Sequence, residues 1–100
     1  MAEYEMIVLT NPVAGSDAEF NHWYDHVHLR DVMAVPGVTS ARRFQSVLPG
    51  DWKYAAIYLL DCDDPSVVMQ EINARWRTEK MPTSAAFDDS NFLMVMVKPI

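Results

Sequence analysis

Cysteine is nearly missing from this chain. Cys62 stands alone, which excludes an internal disulfide and any fold held together by cross-links. Basic residues are scarce as well, with 8 Lys and Arg against 14 Asp and Glu. The formal charge of −6 argues against nucleic acid or an anionic membrane surface as a partner, because phosphate binding needs clustered cations. The acidic residues are scattered, a pattern that serves solubility. No run of roughly eighteen apolar residues is present and no signal peptide is recognisable, so a soluble, cytoplasmic protein is expected.

What the chain has in plenty is apolar surface: half of its 100 residues are hydrophobic and seven are Met. Its length suits one domain, residues 1–100, burying somewhat over ~60% of the unfolded surface. That core is modest, and a surplus of thioether and aromatic side chains beyond it points to a pocket or a partner.

Taken in order, Tyr4 to Thr10 reads as a strand, and Asn11, Pro12 and Gly15 as a loop. Ser16 with Glu19 fits a capping box, so a helix is expected from Asp17. At 100° per residue its inward stripe is Phe20, Trp23, Tyr24, Val27, Asp31, Ala34 and Val35, with His22, Asp25, His26, Leu29 and Met33 opposite. Pro36 and Gly37 stop it. Residues 37–47 alternate as a strand, Pro49, Gly50 and Asp51 make a turn, and Tyr54 to Leu60 forms the hairpin partner. Asp64 and Pro65 offer an N-cap and a first-turn proline to a second helix, with Val68, Ile72 and Trp76 as its stripe and an end near Thr78. Lys80 to Ser90 has no clean period and reads as a loop, and Phe92 to Val97 is a last, wholly apolar strand.

The order is β-α-β-β-α-β. Two helices cover one face of a four-stranded sheet, yet the first, third and fourth strands read as apolar on both faces. An identical chain across a two-fold axis is the commonest cover for the second face, so a homodimer is expected.

That order, together with Trp23, Tyr24, His28, Pro36, Gly37, Arg42 and Arg43, resembles the dimeric α+β barrel superfamily, whose ferredoxin-like subunits carry a four-stranded antiparallel sheet. Within it the pattern is similar to the EthD-like one: an aromatic pair, a helical histidine, then Pro-Gly leading into a basic strand. The resemblance implies a cavity between helices and sheet, often used without metal or organic cofactor, and carries His28 over as a site residue. Such relatives include polyketide cyclases, muconolactone-type isomerases, small quinone-forming monooxygenases and proteins with no assigned activity, among which fold alone does not choose.

Tyr24, His28 and Asp31 lie at about 40°, 80° and 20° around the helix when Phe20 is set to zero, and their spacings bring them within mutual reach. A carboxylate beside an imidazole fixes its tautomer and raises its basicity, and the free nitrogen can then move a proton on a bound enol or phenol. These three are the candidate catalytic residues. The bland alternative pairs Asp31 with Arg42 or Arg43 and leaves His28 structural. Trp23, Arg43, Tyr58 and Trp76 are the candidate substrate-binding residues, although packing is the default for tryptophans on helix stripes. Arg42 and Arg43 must point to opposite faces of the sheet, where one could meet a substrate carboxylate or Asp31 and the other could cross a dimer interface, with an ordinary surface salt bridge the default role for at least one. His22 and His26 have a spacing that can hold a metal, but they fall on the outer face without a third ligand. No metal and no cofactor is expected. Cys62, among Asp61, Asp63 and Asp64, is not expected to form a reactive thiolate.

Two classes of function fit. One is a cofactor-independent enzyme that acts on a small hydrophobic oxygenated ring compound, as an isomerase, cyclase or lyase, by proton transfer at His28; a cofactor-free monooxygenase of phenolic or quinone substrates would use the same base. The other is a non-catalytic dimer that binds a hydrophobic ligand or supports an enzyme. A haem-processing role fits less well, because no other histidine lies on the sheet or the second helix.

Overall fold

The computed structural model describes residues 2–100. Strands β1 (Ala2–Thr10), β2 (Val38–Gln45), β3 (Tyr54–Cys62) and β4 (Leu93–Val97) form one sheet in the order β2-β3-β1-β4, antiparallel throughout. Two helices cover one face. The first, α1, spans 17–33 in three contiguous segments, Asp17–Trp23, Tyr24–His28 and Leu29–Met33, and the second, α2, is Pro65–Arg75. The architecture is the ferredoxin-like β-α-β-β-α-β arrangement, and the hairpin expected around Pro49, Gly50 and Asp51 joins β2 to β3.

Side-chain alternation sorts the strands into two unequal faces. Tyr54, Ala56, Tyr58 and Leu60 of β3 lie buried under the helices with Met6 and Val8 of β1. Tyr58 is 1% exposed, whereas its neighbour Leu59, on the other face, is 44% exposed. That second face is also apolar: Ile7 pairs with Ile57 and Val95, Leu9 with Ala55 and Leu93, and Leu93 and Val95 are exposed. Arg42 lies on it, its guanidinium 5.3 Å from the centre of the Phe44 ring.

The middle segment of α1, Tyr24–His28, is a π-helix. Hydrogen bonding from i to i+5 widens the helix and turns the chain through a smaller angle per residue than an α-helix does. The uniform 100° reading therefore holds only in part beyond Tyr24. Phe20, Trp23, Tyr24 and Val35 are buried as that reading expects, but the next buried residue is Val32, 3% exposed. Ala34 is exposed and Val27 and Asp31 are partly covered. The retarded rotation brings His28 and Val32 into line beneath Phe20 and Tyr24.

Several local expectations are corrected. Ser16 makes no side-chain cap, because its backbone (φ −107°, ψ 21°) is not in the extended conformation from which a hydroxyl reaches the first-turn amides; Asp17 and Glu19 in the first turn serve the helix dipole instead. Asp64 does cap α2, accepting from the amide of Ser66 at 2.9 Å. That helix ends at Arg75 rather than near Thr78: Trp76 turns to ψ 129° and Arg77 adopts φ 66°, reversing the chain so that the amide of Arg77 donates to the carbonyl of Met81. Gly37, in the turn between α1 and β2, has φ 98°, and a Cβ there would stand 3.0 Å from Cγ2 of Val68, so glycine is needed both for the turn and for the approach of α2.

Candidate functional site

Between the helices and the sheet lies a cavity of about 100 Å³. Its floor is sheet: Met6, Val8 and Thr10 from β1, Tyr58 from β3 and Met94 from β4. Trp23, Tyr24, His28 and Val32 of α1 form one wall; Ile72, Asn73 and Trp76 form another. The loop after α2 completes it with Met81, Phe87 and Phe92. Among the described residues in this lining, none is Asp, Glu, Lys or Arg.

His28 stands in an aromatic cage. The Trp23 indole stacks on its ring at 4.7 Å and 19°, the Tyr24 phenol meets it edge-on at 4.9 Å and 87°, and Trp76 meets it edge-on at 5.6 Å. Trp23 is itself fixed, donating its indole N–H to the carbonyl of Pro82 at 3.1 Å and stacking on Phe87. Nδ1 of His28 is buried without a hydrogen-bond partner, so the bonding capacity of the imidazole is not satisfied within the chain. Burial first, and the positive charge of Arg43 second, lower the His28 pKa to about 4. The ring is therefore neutral at pH 7.

Tyr58 donates its hydroxyl to Tyr24 at 3.1 Å, which leaves the Tyr24 proton available to a ligand oxygen. Burial raises the pKa of both phenols, against the effect of Arg43, so both remain hydrogen-bond donors near neutral pH. A neutral acceptor and a neutral donor thus sit side by side in an apolar wall.

Asp31 does not join them. Its Oδ2 is buried with no hydrogen-bond partner, as is Nδ1 of His28, and Asp31 does not line the cavity. Arg43 also stands outside the lining, bonded to Asn21 and Asp25 rather than to Asp31. Trp23, Tyr58 and Trp76 all face the cavity. Met81, Phe87, Phe92, Met94 and Asn73 are wall residues that sequence reading missed; Met81 and Phe87, apolar residues in a segment without period, and Phe92, expected as the first residue of the last strand but lying just before β4, were the available signal.

His22 and His26 are exposed, with their rings 4.5 Å apart. Among the described residues no group of three potential ligands could hold a metal ion, and no helix is long and apolar enough to cross a membrane. Partial burial, then the charges of Asp61, Asp63 and Asp64, raise the Cys62 thiol.

No family model matches the sequence, and no curated protein matches it. Solved structures do match. An EthD-family protein from Bacillus halodurans superposes with a TM-score of 0.67 at 14% identity, over 98% of this chain and 99% of that one. A protein proposed to be a monooxygenase from Shewanella loihica gives 0.66 at 15% identity, over 99% and 95%. A DABB-family protein with a ferredoxin-like fold from Mesorhizobium loti gives 0.65 at 16% identity, over 100% and 99%. Identities this low establish a shared fold, which accommodates proteins of different description.

Proposed function

We propose that this protein binds a small, hydrophobic, oxygenated ring compound between α1 and the sheet, and that His28 moves a proton on it. The observation that carries this reading is the unsatisfied imidazole of His28 in the wall of an apolar cavity, beside a phenol with a proton to donate. His28 takes a proton from an acidic C–H or O–H of the ligand, the electron pair moves onto the ligand oxygen that Tyr24 donates to, and return of the proton at another atom gives isomerisation or sets up cyclisation or elimination. Trp23 and Trp76 hold the ring flat, and Tyr58 orients the Tyr24 hydroxyl. Asp31 has no direct part in this scheme.

The neutral imidazole suits the ligand class, since a cavity without ionised side chains favours a ligand that enters uncharged. Its basicity is low in the empty site and rises when an anion forms beside it, because an opposite charge at short range favours the imidazolium. The exposed apolar face of Ile7, Leu9, Ile57, Leu59, Leu93 and Val95 is covered, in this reading, by a second copy of the chain.

The test is turnover of enolisable cyclic ketones and hydroxylated quinones by the wild type and by His28→Ala, with sedimentation confirming that both remain dimers. Loss of turnover in a folded variant is expected, and unchanged turnover removes the mechanism. A second reading follows from the weakness of His28 as a base: the cavity carries a ligand without transforming it. In that case His28→Ala weakens binding while no compound is turned over by either protein. Turnover that requires dioxygen identifies an oxidative form of the same proton abstraction.

A further inference from the structure

Arg43, outside the cavity lining, packs its guanidinium against the ring of the lining residue Tyr24. Its guanidinium lies 4.5 Å from the centre of the Tyr24 ring, 5.4 Å from that of Tyr54 and 5.6 Å from that of Phe20. Nη1 donates to Asp25 Oδ1 and Nη2 to Asn21 Oδ1, both at 2.8 Å. Asn21 in turn donates to the Tyr54 hydroxyl, which donates to Asp17, the partner of Lys53. The charge is thus fixed in place by α1 and by the ring faces around it.

The pair with Asp25 is lopsided. The Arg43 side chain is 13% exposed and that of Asp25 is 52% exposed, so water screens the carboxylate far more than the guanidinium. What remains is a net positive field that reaches the cavity wall, where it opposes the charging of His28.

We propose that Arg43 is a positioning residue for the reaction: from behind Tyr24, outside the cavity, its charge stabilises the negative charge that develops on a ligand oxygen hydrogen-bonded to the Tyr24 hydroxyl. This role presupposes the proton transfer at His28 proposed above. Three links act in series. The cation on the ring face polarises the phenol and makes its O–H a stronger donor. Tyr58 occupies the Tyr24 oxygen with its own proton, so the Tyr24 proton is directed to the ligand. The described residues of the cavity lining include no Asp, Glu, Lys or Arg, so a charge fixed beside it acts there with little screening. Because Tyr24 stands between them, Arg43 does not bind a ligand carboxylate directly, and it affects charge development more than ground-state affinity.

The experiment follows the ionisation of 4-nitrophenol bound to the intact protein, read from the phenolate absorbance against pH. In Arg43→Gln the apparent pKa of the bound phenol rises by about one unit, a tenfold change in its ionisation constant. Asp25→Asn, which removes the screened counter-charge and leaves the guanidinium in place, lowers it. Opposite shifts are the signature, since a merely structural role would disturb the site in the same sense in both variants. Equal ionisation in all three proteins, or shifts of the same sign, overturns the proposal. The His28 ring protons give a second measurement that needs no ligand: their NMR titration midpoint moves up in Arg43→Gln and down in Asp25→Asn, and a midpoint common to all three proteins also overturns it. His28→Ala tests the proton-transfer reading separately, because it removes the base without touching the field of Arg43.

Discussion

Three histidines share helix α1 and have opposite surroundings. His22 and His26 face solvent with their rings 4.5 Å apart, while His28, two residues further on, is enclosed by Trp23, Tyr24 and Trp76. His22 lies just before the π-helical segment Tyr24–His28, while His26 and His28 both lie within it, on opposite sides of the helix. Residue type and proximity in sequence therefore say little about role here; the side of the helix on which each imidazole falls decides which one lines the cavity.

The contrast is broken or sharpened most strongly by rate. His28→Ala is expected to lower turnover of a cognate enolisable compound by about 10²–10⁴-fold, the usual worth of a general acid–base group. His22→Ala and His26→Ala should stay within a few-fold of wild type. A comparable loss in either outer variant would put the chemistry on the solvent face.

Next in size is acid stability. The His28 pKa falls from its unfolded value of 6.5 to about 4 on folding, so between these two values the unfolded chain binds a proton that the folded chain does not. Stability contributed by the neutral His28 is complete above pH 6.5, declines as the pH falls through that window, and is lost at about pH 4. The full difference is roughly 3 kcal/mol. Urea unfolding of wild type and His28→Gln, at pH 7 and at pH 4.5, should show the variant losing less stability on acidification.

A smaller effect concerns the buried phenols. Tyr58→Phe removes the proton donated to Tyr24 and should cost about 1 kcal/mol in chemical denaturation. It should also leave the Tyr24 hydroxyl less well directed, so that turnover falls while the fold survives. Smallest of all, His22→Gln or His26→Gln should change stability at pH 7 by less than about 0.5 kcal/mol, as befits exposed positions.

Much of the fold was legible because its signals are local. Pro49, Gly50 and Asp51 mark the hairpin, Asp64 and Pro65 mark the start of α2, and strands apolar on both faces mark a sheet with a second surface to cover. The position of His28 was legible only in part. An α-helical projection sets it at about 80° from Phe20, at the margin of the buried stripe, since nothing in the residues of Tyr24–His28 announces a change of pitch. The same projection left Val32 out, and the alternative reading paired Asp31 with Arg42 or Arg43, whereas Asp25 is the carboxylate that holds Arg43. The far wall of the cavity was hidden for a different reason. Met81 and Phe87 lie in a segment without periodicity and Phe92 just precedes β4, and this loop meets α1 through contacts such as Trp23 to Pro82, 59 residues apart in sequence.

The stacking of Trp23 on His28 has an optical consequence. A protonated imidazole in van der Waals contact with an indole accepts an electron from its excited state, whereas a neutral one does so poorly. Of the chain's three tryptophans, Trp23 and Trp76 both touch the His28 ring, while Trp52 follows the turn between β2 and β3. Emission from the first two should therefore dim as His28 acquires a proton, whether from acid or from a bound compound. The site carries its own fluorescent indicator, and a ligand that hands its proton to His28 should report the transfer without a label.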